Sequence, residues 1–188
     1  MTSFEYFSVA LSLVLGLGIT QLLLGVLRVF RTQGRQKIHW IPLTWAAAIF
    51  IWQIQYWWAL FELHTLMESW TQGGFVLLLA SAILLFISGA LVLPASESQQ
   101  SNELLTYFRD DGKWALLALV AYSAISLWVN WLLYGRSPLN DVTALLIAFS
   151  ALALTAFFFA RTRSLGIITI LFFVLTVYTF SVAAPTKY

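Results

Sequence analysis

The stretch FIWQIQYWWALFELH, residues 50–64, sets Gln53, Gln55, Glu62 and His64 among aromatic rings in one of the most apolar parts of the chain. A few convergent polar groups inside aromatic walls are what a small-ligand pocket or an ion path in a membrane protein is made of. The same amides are also suited to hydrogen bonding across packed helices, where such bonds average about 0.6 kcal/mol. The leading functional expectation is a small-ligand or ion binding/transport-type module with an outward-facing polar-aromatic pocket; the alternative is a non-catalytic accessory or scaffold subunit whose polar residues only hold helices together. At roughly 100° per residue, Gln55 and Glu62 share one helix face with Trp58 nearby, whereas Gln53 and His64 fall together on another.

Other polar residues inside apolar runs are expected at the same end of the molecule. Asn130 stands in LWVNWLL, Tyr178 lies between Thr176 and Thr179, and Glu5 and Tyr6 open the first apolar run. The candidate ligand-binding set is therefore Glu5, Tyr6, Gln53, Gln55, Trp58, Glu62, Asn130 and Tyr178, with Gln21 the exception toward the opposite end. Glu5 follows Thr2 at capping-box spacing, so its carboxylate has a second reading as a cap for free amides of the first turn. Asp110 and Asp111 in FRDDGK resemble an acidic metal motif but lack further carboxylates at helical spacing, so they read as a loop and helix start. No HExxH, GxSxG, phosphate-binding glycine loop or intramembrane aspartate pair is present, and no catalytic group is assigned. With no cysteine and only two histidines, 25 positions apart, neither a metal nor a cofactor is expected. The net charge of +2 gives no reason to expect nucleic acid as a partner.

The elements that must position these residues follow from composition. Of 188 residues 61% are hydrophobic and 10% charged, and the mean hydropathy is +0.85. A soluble fold of this size cannot hide that much apolar surface, so the lipid bilayer is the expected surrounding. Apolar runs long enough to cross a core of about 30 Å predict an all-α polytopic membrane protein, six transmembrane helices in one compact bundle forming a single domain. The spans are predicted near 4–29, 40–63, 75–93, 114–134, 142–160 and 165–183. The apolar start lacks a basic region and a small-residue cleavage pattern, so it reads as a retained helix. Eight basic residues (Arg28, Arg31, Arg35, Lys37, Arg109, Lys113, Arg161, Arg163) fall in loops one, three and five, against Arg136 and Lys187 on the other side. The positive-inside rule then places both termini outside, with the polar cluster. The long connection 94–112 is a cytoplasmic loop with Leu104, Leu105 and Phe108 on one side of a short amphipathic turn beside Tyr107.

Small residues that let backbones approach mark helix contacts in lipid. Ser8, Ser12 and Gly16, continued by Thr20, and then Ala144, Ala148, Ala156 and Ala160, broken only by Leu152, recur at multiples of four and predict packing faces on the first and fifth spans. Beyond the bilayer, the partners compatible with such a bundle are further copies of the chain or another membrane protein.

FEYFSVALSLVLGLGITQLLLG, followed by Arg28, Trp45, QYWWALF and LVLP, resembles a family of small bacterial integral membrane proteins with FEYxSV and LGLGITQLL starts. The resemblance covers the first two spans and the end of the third, about half the chain. It implies a bacterial inner-membrane protein, nominates Glu5, Tyr6, Gly16, Gly18, Gln21, Gln55, Trp57 and Trp58, and brings no activity with it.

Overall fold

A computed structural model describes residues 3–31, 38–66, 71–95, 103–132, 141–161 and 163–183, with the side chains of 3–6, 62–66 and 182–183 excepted. The chain is all-helical over these residues. Six long helices, α1 (Ser3–Arg31), α2 (Trp40–Leu66), α3 (Gln72–Leu91), α5 (Trp114–Leu132), α6 (Asp141–Phe158) and α7 (Leu165–Ala183), are joined by a short α4 (Leu104–Tyr107). A π-helical turn, Phe108–Gly112, continues α4 into α5. Each boundary has a local cause. Thr71 caps α3 by accepting the Gly74 amide at 3.1 Å, and Pro94 follows its end. Arg28 and Arg31 sit in the last turn of α1, where cations oppose the partial negative charge of the helix terminus.

Around the bundle the order is α1, α3, α5, α6, α7, α2, and α2 closes the ring against α1 while also touching α3. Positions 18 and 25 of α1 meet 86 and 93, so α1 and α3 run parallel. Trp45 and Trp52 of α2 bond to Thr169 and Thr176, so α2 and α7 also run parallel. Among the described residues four helices are long and apolar enough to cross a membrane: α1 over Phe7–Arg31, and α3, α5 and α6. α7 adds a shorter apolar helix, Leu165–Ser181. In α2, tryptophan, tyrosine and glutamine lower the hydropathy of an otherwise apolar sequence.

The packing faces differ from the predicted stripes. On α1 the buried line is Leu11, Leu15, Gly18, Leu22, Gly25 and Val29, while Ser8, Ser12 and Gly16 are half-buried and Thr20 is exposed. On α6 the line is Phe149, Ala153 and Ala156; of the predicted stripe, Ala156 lies on this line and Ala160 is buried just past the helix end, whereas Ala148 is half-buried and Ala144 exposed. The cause is geometric. Steps of four turn about 40° beyond a full revolution, so a strict every-fourth stripe winds off any fixed face. Alternating steps of four and three hold the face.

The 94–112 connection is also more than an amphipathic turn. Leu104 and Phe108 are 0% exposed and Tyr107 is 6% exposed, so residues 103–112 of this connection insert as a plug into the end of the bundle that carries most basic residues. The Tyr107 hydroxyl donates to the carbonyls of Leu91 at 3.1 Å and Leu93 at 3.3 Å, the last residue of α3 and the second beyond it. Arg109 Nε donates to the Ala160 carbonyl at 3.1 Å. The exposed Asp110–Arg161 pair at 2.8 Å adds little, because solvent screens it. Gly112 is closely packed here: a Cβ would lie 3.1 Å from Phe108 Cδ2 and 3.2 Å from the Val92 carbonyl oxygen.

Candidate functional site

The interior of the bundle is filled by a column of aromatic side chains. Trp45 packs on Phe172 with ring centroids 4.3 Å apart, and Trp52 meets Phe149 edge-on at 4.6 Å and Tyr122 at 5.4 Å. Phe149 and Phe172 are 5.2 Å apart, and Tyr122 continues to Tyr56 at 6.2 Å. Edge-to-face pairs of this kind contribute about 0.5–1.5 kcal/mol beyond their buried area.

Each polar atom in the column bonds to a neighbouring helix or to its own. The indole N–H of Trp45 donates to Thr169 Oγ1 at 3.0 Å and that of Trp52 to Thr176 Oγ1 at 3.3 Å. Both threonine hydroxyls donate back to carbonyls one turn earlier, at 2.8 and 2.9 Å. The Tyr56 hydroxyl donates to the Leu78 carbonyl at 2.6 Å. This two-rung ladder was not anticipated, although both its tryptophans and its threonines are seven residues apart in sequence, two helical turns.

Among the described residues, Gln53 is the one buried side chain with an unmet need. It is 0% exposed, Nε2 donates to the Leu85 carbonyl at 3.3 Å, and Oε1 has no partner. Its amide occupies a notch made by the absent side chains of Gly18 on α1 and Gly89 on α3.

Of the predicted ligand-binding residues, those whose side chains are described do not converge. Gln53 faces α1 and α3. Gln55 is half-buried and makes no hydrogen bond among the described residues. Trp58 and Tyr178 are exposed on the outside of the bundle, and Asn130 is buried on α5. The side chains of Glu5, Tyr6 and Glu62 lie outside the described ones, as does that of His64. Among the described residues no Asp, Glu, Lys or His stands between the two ends of the bundle, and no three metal-ligating side chains gather. What the interior offers chemically is amides, hydroxyls and indoles, which bind and position without acid–base work near neutral pH.

A groove of about 630 Å³ opens at the end opposite the plug, between the start of α3 and the end of α5. Val76, Leu77, Trp128 and Leu132 form its apolar walls, and Thr71 and Gln72 its polar rim.

The basic end carries the titratable chemistry. His39 Nδ1 accepts the Ile41 amide at 3.2 Å, capping α2, and its ring stacks near Trp40. Burial first, and then Arg109, hold the imidazole below its usual 6.5, with Glu103 opposing them. Burial, helped by Asp111, pushes the Tyr107 hydroxyl up to about 12, so it stays a donor at physiological pH. Because the folded protein disfavours His39 protonation, the unfolded chain binds more protons between the lowered value and 6.5. Stability is therefore full above that range and is lost as pH falls through it. A pH series of thermal unfolding from about pH 8 to about pH 5 is expected to show this loss. His39→Asn, which keeps an acceptor that does not titrate, should flatten it. Identical profiles for the two proteins would remove His39 as the cause.

Comparison with protein-family models, with characterised proteins and with solved structures finds no match to this chain.

Proposed function

We propose that the chain is a bacterial inner-membrane protein that threads six helices through the bilayer, has both termini on the periplasmic side, and acts as a non-catalytic accessory or scaffold subunit of a membrane complex. Support for six spans comes from α2 and α7, which present large apolar side chains outward just as the other helices do: Ile54 and Phe61, and Ile167, Ile170 and Val174. The eight-to-two distribution of basic residues supports the orientation. The observation that carries the scaffold reading is the interior of the described residues, which is filled by aromatic packing and helix-to-helix hydrogen bonds.

A second reading has its own support. The groove of about 630 Å³ at the end opposite the plug, with half-buried Gln55 on the same half of the bundle, suits a small-ligand or ion binding or transport-type module facing the periplasm. Native mass spectrometry of protein extracted in lipid nanodiscs separates the two. The scaffold reading expects a second polypeptide at fixed stoichiometry, unaffected by Gln55→Leu. A monomer carrying one small molecule, released when Gly73→Trp fills the groove, would overturn it in favour of the binding module. Topology is tested independently: an inactive alkaline phosphatase fused at the C-terminus, with a fluorescent green protein at the same site, would reject the periplasmic ends.

A further inference from the structure

Gln21 stands on the outer surface of α1, two positions past the middle of the apolar run Phe7–Arg31, and it bonds to nothing among the described residues. Hydrocarbon supplies neither donor nor acceptor, so an amide facing lipid at this depth is costly unless another polypeptide covers it. The neighbouring surface is shaped for close approach. Nothing lies within 4 Å of where a Cβ on Gly16 would be, and the exposed Thr20 turns its hydroxyl back to the Gly16 carbonyl at 2.7 Å. Between them runs an unpartnered line of Leu13, Leu17, Thr20 and Leu24. Gln21 and Gly16 flank that line on opposite sides.

We propose that this face of α1 is the contact between two copies of the chain, packed in parallel about a two-fold axis, with the Gln21 amide N–H of one copy donating to the Gly16 carbonyl of the second in place of the Thr20 hydroxyl, and the Gln21 amide oxygen accepting the hydroxyl it displaces. The face supplies both halves of the exchange, a side-chain amide on one flank and, on the other, a carbonyl that no side chain of Gly16 covers. A two-fold axis therefore satisfies both amides at once, as an isologous interface requires. In parallel two-stranded helix packing the two flanking positions of one copy face the opposite flanking positions of the other. That juxtaposes Gln21 with Gly16. Small residues beside a polar side chain are the pattern by which membrane helices associate. The inference rests on α1 lying within the bilayer.

The chain has no cysteine, so single-cysteine variants report contacts without background. In proteoliposomes under mild oxidation, Leu17→Cys, Thr20→Cys and Leu24→Cys are expected to form disulfide-linked dimers several-fold faster than Ile170→Cys, an exposed site on α7. Adding Gln21→Leu or Gly16→Ile to Thr20→Cys should lower that rate several-fold. It should leave the unfolding midpoint of the single chain unchanged, since neither residue touches the bundle interior. Equal rates at Thr20→Cys and Ile170→Cys, or a Thr20→Cys rate indifferent to both added changes, overturn the proposal. Water-soluble maleimide applied to Thr20→Cys in the same vesicles tells the two failures apart. No labelling with no cross-linking rejects the dimer face alone, whereas rapid labelling rejects the span and the dimer face together.

Discussion

Phe108→Ala is expected to cost about 3–5 kcal/mol of stability, the range for removing a fully buried phenylalanine from a core. Phe108 is 0% exposed, its ring centroid lies 6.4 Å from that of Trp45, and Cδ2 lies 3.1 Å from where Gly112 would carry a Cβ. Its position decides the magnitude. Inside a bilayer an apolar ring gains little by leaving lipid for protein, because the two media are alike. The plug belongs to the connection between α3 and α5 at the polar end of the bundle, so a released Phe108 enters water and the whole transfer term applies. Leu105→Ala, at a half-buried position on the same turn, is the control and should cost no more than about 1–2 kcal/mol. Thermal unfolding in nanodiscs measures both, and proteolysis within 103–112 reports release of the plug directly. If the two alanine variants shift the midpoint equally, the segment is a surface turn and not a plug.

How much of this was legible in the sequence depends on the distance over which each feature is determined. Helical class, the positions of the long helices and the interruptions between them follow from local composition, and the apolar runs and their Gly, Pro and charge breaks sit where the helices begin and end. The buried faces of α1 and α6 were harder. Ser8, Ser12 and Gly16 look like a stripe because small residues recur, yet a face is kept by alternating intervals, and the residues that alternate correctly, Leu11, Leu15, Gly18, Leu22 and Gly25, mix large side chains with glycine. The ring order was not legible at all, because α1 packing on α3, and α2 running parallel to α7, depend on contacts between residues far apart in sequence. That is why Gln53 and Gln55, neighbours in one motif, part company: one reaches the α1–α3 seam, while the other remains half-buried on the flank. Leu104 and Phe108 were recognised as an apolar side of a turn. What that side covers depends on Trp45, more than fifty positions earlier.

The Gln53 notch gives the second large effect, and its two glycines are expected to respond differently. A Cβ on Gly18 would lie 3.0 Å from Gln53 Nε2 and 3.3 Å from Phe86 Cα, so Gly18→Ala presses on both a side chain and the α3 backbone. A Cβ on Gly89 would lie 3.1 Å from Gln53 Nε2 and 3.4 Å from Leu22 Cδ1, both side-chain atoms, with backbone no nearer than 3.6 Å. Each substitution overpacks a full interior and should cost about 1–3 kcal/mol, Gly18→Ala the more. Gln53 itself contributes little, because its bond to Leu85 at 3.3 Å is offset by the unpartnered Oε1. Shortening Gln53 therefore removes the obstacle at Gly89 but only half of it at Gly18. In double-mutant cycles with Gln53→Ala, Gly89→Ala should recover most of its loss, with a favourable coupling of about 1–2 kcal/mol. Gly18→Ala should keep a residual penalty set by the Phe86 backbone. Equal rescue at both positions would mean that α3 shifts away from α1 as easily as a glutamine changes rotamer, and the close approach of these helices would then not depend on the glycines. No rescue at either would show that the Gln53 amide does not fill the notch.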